Sequence, residues 1–127
     1  MDTKVIRWLI TGALLVHSIG HSLGFFMPTG SKLLPNLSEQ SARMVSSIFW
    51  VLSVIGFIAA LLGFLGILIP TEWWRGLAVG TAIISLVGLA LFGHNWDAFN
   101  RFGALGMNLT ILVSQLWLRW PPDSMFE

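Results

Sequence analysis

The chain has 127 residues, 55% of them hydrophobic and 10% charged, with seven basic against six acidic side chains and a mean hydropathy of +0.78. A soluble domain carries about 25% charged residues, so this composition cannot clothe a water-facing surface. The near-neutral balance leaves no basic patch for nucleic acid, and the absence of cysteine removes thiol redox chemistry, disulfides, iron–sulfur clusters and cysteine-ligated zinc from what the chain can do alone.

Four stretches contain no Asp, Glu, Lys or Arg: Trp8–Ser31, Met44–Thr71, Gly76–Trp96 and Phe102–Leu118. A bilayer core about 30 Å thick needs roughly 20 helical residues, within a range of about 17–25. The runs are continuous rather than alternating, which favours helices over barrel strands. The fold class read from this pattern is all-α: an antiparallel bundle of four transmembrane helices forming a single membrane domain over residues 1–127.

The first helix is predicted over about 4–26. Lys4 and Arg7 ahead of its apolar run resemble the start of a signal peptide, but the run continues to Phe26, and a retained helix is the reading. Pro28 stops it, since proline disfavours a helical residue before it. The first loop is the longest and most polar connection. Its Asn36-Leu37-Ser38 matches a glycosylation acceptor, read here as a chance occurrence, and Asn36 or Ser38 is a candidate N-cap for the second helix, predicted over about 42–69. Thr71 is expected to cap the third helix (about 72–93). Asp97 or Asn100 is expected to open the fourth (about 98–119), which Pro121-Pro122 follows with a short solvated tail.

Lys4, Arg7, Arg75 and Arg119 fall at one membrane face and Lys32, Arg43 and Arg101 at the other. The excess of basic residues places both termini in the cytoplasm of a multi-pass cell-membrane protein. Trp8, Trp73, Trp74, Trp117 and Trp120 cluster at the terminal face, as interfacial anchors do. Small-residue pairs such as Gly20/Gly24, Gly56/Ala60 and Gly76/Gly80 give the helices close-packing faces, which serve the bundle, a homo-oligomer or a larger membrane complex.

The residues with chemistry concentrate in the first helix. Ala13, His17, Gly20, His21 and Gly24 form one stripe, and histidine at membrane depth faces a bundle interior or a wet cavity. His17 lies roughly 13 Å inside the helix end, at about 1.5 Å per residue. Antiparallel alternation brings Ser53, Ser85 and Asn108 to the same level. The predicted ligand-binding set is therefore His17, His21, Ser53, Ser85 and Asn108. His17, His21 and His94 with Asp97 form a candidate three-histidine, one-carboxylate metal site, and haem ligation is a related alternative. Asp97 would otherwise orient a histidine or pair with Arg101. Ser18 and Ser22 are expected to bond back to their own helix.

His17-x-x-x-His21-x-x-Gly24-Phe25, followed by Pro28 and by the later Pro70-Thr71-Glu72-Trp73-Trp74 turn, resembles a group of uncharacterised bacterial four-helix membrane proteins. Size and topology are also distantly similar to DoxX-like membrane proteins. The resemblance implies a fold and a membrane location and brings no established activity. The leading functional reading is a small membrane protein without evident catalytic machinery that packs against itself or a larger complex. The alternatives are a small-ligand binding or transport protein with a cavity on the side of the first loop, and a histidine-ligated metal or haem protein.

Overall fold

A computed structural model describes Met1–Glu127 as an all-helical chain without strands. Its four main helices are α1 (Thr3–Ser22), α2 (Glu39–Leu65), α3 (Trp74–Phe92) and α4 (Ala98–Leu112). Three helical stretches, Thr3–Phe26, Glu39–Leu65 and Thr71–Asn95, are long and apolar enough to cross a membrane. The fourth is shorter than its sequence suggests. Its α-helical part has 15 residues, roughly 22 Å at about 1.5 Å each, and it continues as a six-residue π-helical turn, Val113–Leu118.

Local chemistry sets the element ends. The Asp2 carboxylate accepts from the Lys4 N–H and opens α1. Leu23–Phe26 then tighten into a 3-10 turn before Pro28. Ser38 caps α2 by accepting from the Ser41 N–H, so this helix starts three residues earlier than predicted. It also ends earlier, because Gly66 takes a left-handed conformation (φ 69°) and the Ile67 N–H returns to the Leu62 carbonyl. Such a cap closes a helix even in an apolar run. Thr71 does not cap α3. It begins a 3-10 turn, Thr71–Trp73, that leads into α3 without a side-chain cap. Asp97 is the N-cap of α4.

The α2–α3 contact is the most extensive between helices, α1–α2 is next, and α1 meets α4 sparsely. Two buried clusters lie along this framework. One contains Leu14, Phe57, Phe64, Trp74, Ala78 and Ile111. The other contains Ala42, Trp50, Leu89, Phe92 and Trp96, with Met27 and Leu37 of the first loop packed against it.

The C-terminal segment is not the solvated tail expected from its sequence. Phe126 packs 5.3 Å from Phe64 and 5.9 Å from Trp74 between ring centres. Arg75 holds the segment in place. It donates to Gln115 (2.5 Å), to the Pro121 carbonyl and to Asp123 (3.0 Å).

The glycines divide into two groups. A Cβ on Gly24 would lie 2.8 Å from the Trp50 ring and one on Gly88 2.8 Å from Phe49 Cβ, while one on Gly56 would overlap Thr81 Oγ1 outright. At Gly20, Gly76, Gly80, Gly103 and Gly106 an added methyl group would meet nothing within 4 Å. Gly56→Ala is therefore expected to lower stability by about 1–3 kcal/mol through overpacking. Gly106→Ala is expected to raise it by up to about 1 kcal/mol through helix propensity. Unfolding of the two variants in detergent micelles checks both signs.

Candidate functional site

The centre of the molecule is a chain of buried polar side chains. His17 Nε2 lies 2.9 Å from Asn108 Oδ1, Asn108 Nδ2 donates to Ser85 Oγ at 2.6 Å, and Ser85 Oγ lies 2.9 Å from His21 Nε2. All four side chains are buried. The chain thus links α1, α4 and α3. In this orientation of the Asn108 amide, His17 donates to Asn108, Asn108 donates to Ser85, and the Ser85 hydroxyl donates to His21. A half-turn of the amide reverses every donor. Under either polarity His21 Nδ1 remains buried with no hydrogen-bond partner. An unpaired buried polar atom costs about 1–3 kcal/mol.

Helix α2 supplies the apolar wall around the histidines. The Phe57 ring lies 4.6 Å from His17 and 5.6 Å from His21, nearly parallel to the latter, and Trp50 stacks 6.2 Å from His21. Trp96 closes the remaining side at 6.4 Å. The two histidine rings meet edge to face at 4.7 Å. Beside them a cavity of about 260 Å³ opens between α1 and α4. It is lined by His17, Gly20, His21, Trp96, Asn100 and Gly103, among others. The cavity exists because the facing positions are small: neither Gly20 nor Gly103 has a neighbour to fill the space above it.

Of the predicted ligand set, His17, His21, Ser85 and Asn108 come together. Ser53 is buried but donates to the Phe49 carbonyl of its own helix at 2.7 Å, so it is not part of the hydrogen-bonded chain. His21 belongs to that chain, although its sequence position suggests a more superficial level. Ser18 also departs from expectation. Its hydroxyl crosses to the Val54 carbonyl of α2 at 3.0 Å, whereas Ser22 bonds back to Ile19 as predicted. The Trp50 and Phe57 wall escapes the sequence reading, although the spacing of these residues from Ser53 puts all three on one side of α2.

The four-residue metal set is not assembled. No three histidine or acidic side chains gather in a metal-holding group. Asp97 is exposed and spends its carboxylate on the Asn100 N–H (3.0 Å) and the Asn100 amide (2.7 Å). The first of these, then the second, holds the Asp97 carboxyl below the usual carboxylate range. It pairs with neither a histidine nor Arg101, which donates instead to the His94 carbonyl at 3.1 Å. His17 and His21 alone share a site, and their Nε2 atoms are already engaged. The Nδ1 atoms are what remain for a ligand.

Asn108→Leu breaks two hydrogen bonds and strands His17 Nε2. It is expected to destabilise the protein by about 1–3 kcal/mol, and Asn108→Asp is expected not to restore the loss in full, because the carboxylate keeps acceptors for His17 and Ser85 but must be desolvated in the interior. Unfolding of both variants in micelles reads this out. Comparison with family models, with curated proteins and with solved structures finds no match.

Proposed function

We propose that the chain is a four-helix integral membrane protein that binds a small ligand in the α1–α4 cavity, with His17 and His21 of its wall as the polar contacts. Three apolar helices of membrane-spanning length support the location. The fourth span is α4 with its π-helical extension, 21 residues from Ala98 to Leu118. The balance of basic residues supports cytoplasmic termini in the cell membrane.

The observation that carries the ligand reading is the pair of buried imidazoles in the wall of an open space. His17 and His21 both line a cavity of about 260 Å³, and their hydrogen bonds within the protein use only the Nε2 atoms. Polar groups at membrane depth are expensive unless paired, and a ligand in the cavity offers a further partner. The Ser85 hydroxyl beside His21 is fully buried and is not part of the cavity wall, and the site has no clustered carboxylates, so binding or passage is preferred over catalysis.

Gly103 lines the cavity and a Cβ placed there meets nothing within 4 Å, so Gly103→Leu is expected to fill the space. Native mass spectrometry of the protein released from native membrane patches is expected to show a small-molecule adduct on the wild type and none on this variant. Equal adducts on both would remove the reading.

The accessory or self-packing role has its own support in Gly76 and Gly80. They share one side of α3 with nothing within 4 Å, which leaves a small-xxx-small pair free for another helix. Gly80→Leu is expected to shift any oligomer toward monomer in crosslinking and light scattering, and an unchanged mass distribution would dismiss that role.

A further inference from the structure

At the end of the molecule that holds the chain termini, a cavity of about 210 Å³ lies between the start of α1 and the end of α2. It is lined by Lys4, Arg7, Trp8 and Thr11 of α1 and by Leu65, the last residue of α2. The four α1 residues are spaced i, i+3, i+4 and i+7, which puts them on one side of the helix. From Lys4 to Thr11 the helix axis advances about 10 Å, at about 1.5 Å per residue. The cavity therefore runs from the helix end down to the apolar stretch.

Both cations of this cavity lack a partner in the protein. The two ion pairs of the chain are Arg43–Glu39 and Arg75–Asp123, and neither the Lys4 ammonium nor the Arg7 guanidinium makes a hydrogen bond. Asp2, the acidic residue nearest in sequence, directs its carboxylate to the Lys4 main-chain N–H at 3.0 Å. Arg7 is half-buried, and a partly desolvated charge without a counter-charge is unfavourable. The Thr11 hydroxyl is enclosed and offers an occupant no contact. Another cavity at the same end makes the contrast. Arg75 and Arg119 line it together with Glu72 and Asp123, and Arg75 is already committed to Gln115, the Pro121 carbonyl and Asp123. Its charge is balanced, whereas that of the α1 cavity is not.

We infer that Lys4, Arg7 and Trp8 form a binding site for the phosphate of an anionic phospholipid in the leaflet on the side of the chain termini. The inference rests on the membrane reading of the long apolar helices and is independent of the α1–α4 ligand cavity. The planar fork of Arg7 matches two phosphate oxygens, and Lys4 adds a point charge. Trp8 is 74% exposed, as suits an indole anchored at headgroup level. A net negative headgroup is favoured over a zwitterionic one, whose ammonium would bring a third cation to a cavity lined by no acidic residue. A soluble phosphate shares the chemistry of the head. The lipid is favoured because the site includes an interfacial indole and descends toward apolar surface.

The test titrates the full chain in nonionic detergent with phosphatidylglycerol and counts adducts by native mass spectrometry. One phosphatidylglycerol per chain is expected to bind in preference to phosphatidylcholine, and glycerol phosphate is expected not to displace it. Lys4→Gln and Arg7→Gln should each weaken binding about fivefold, the worth of one basic residue at an anionic surface. Arg119→Gln, at the same end but in the charge-balanced cavity, should leave binding unchanged.

Equal losses in all three variants would reduce the effect to the general attraction of a basic face and overturn the site. Equal binding of phosphatidylcholine would overturn the preference for an anionic head, and displacement by glycerol phosphate would make the site one for a soluble phosphate. Flotation with phosphatidylcholine vesicles checks the location separately. A chain that does not float with them overturns the membrane reading and the inference together. A chain that floats, but binds phosphatidylglycerol equally well without Lys4 or Arg7, overturns the inference alone.

Discussion

The hydrogen-bond chain from His17 through Asn108 and Ser85 to His21 is the interaction on which the rest of the arrangement depends. The α2–α3 pair meets by close approach, in which Gly56 admits Thr81 and Gly88 admits Phe49. The α1–α4 pair has no such fit. Gly20, Gly103 and Gly106 meet nothing within 4 Å, and the two helices are linked by the His17–Asn108 hydrogen bond and share the apolar cluster of Leu14 and Ile111. The cleft between them therefore exists because a polar link holds the helices in register without requiring their backbones to touch.

This resolves the competition for the histidine stripe of α1. Close packing and an open site both need the small residues there, and the stripe is divided between them. Gly24 is covered by the Trp50 ring, whereas Gly20 faces the cavity. His17 and His21 sit at the boundary, with one nitrogen each committed to the interior. The aromatic wall of Trp50, Phe57 and Trp96 keeps the pair dry on the remaining sides, which raises the worth of every hydrogen bond made there.

Much of the helical pattern is legible in the sequence because continuous, non-alternating charge-free runs of this length read as long apolar helices. The level shared by His17, Ser85 and Asn108 is legible too, since antiparallel helices convert distance from a turn directly into depth. What stays hidden depends on rotation about the helix axis. Ser53 has the right depth but turns its hydroxyl to Phe49, and Ser18 reaches across to α2 in place of a local bond. The early stop of α2 is masked because Gly66 sits in an apolar run that gives no compositional warning of a left-handed residue. The folded-back tail is hidden because Asp123–Glu127 is short, and its partners, Arg75 for Asp123 and Phe64 and Trp74 for Phe126, come together only in the tertiary structure.

The sequence separations within the polar chain have a consequence for the order in which the protein is made. His21 finds Ser85 across 64 positions, and His17 finds Asn108 across 91. Synthesis proceeds from the N-terminus, so α1 enters its surroundings carrying two imidazoles whose partners do not yet exist. The α2–α3 pair can assemble in the meantime from apolar contacts alone. Only the arrival of α4 satisfies His17, and a chain cut short before Asn108 leaves that imidazole with nothing to bond. Synthesis of α4 and closure of the polar centre are thus the same event.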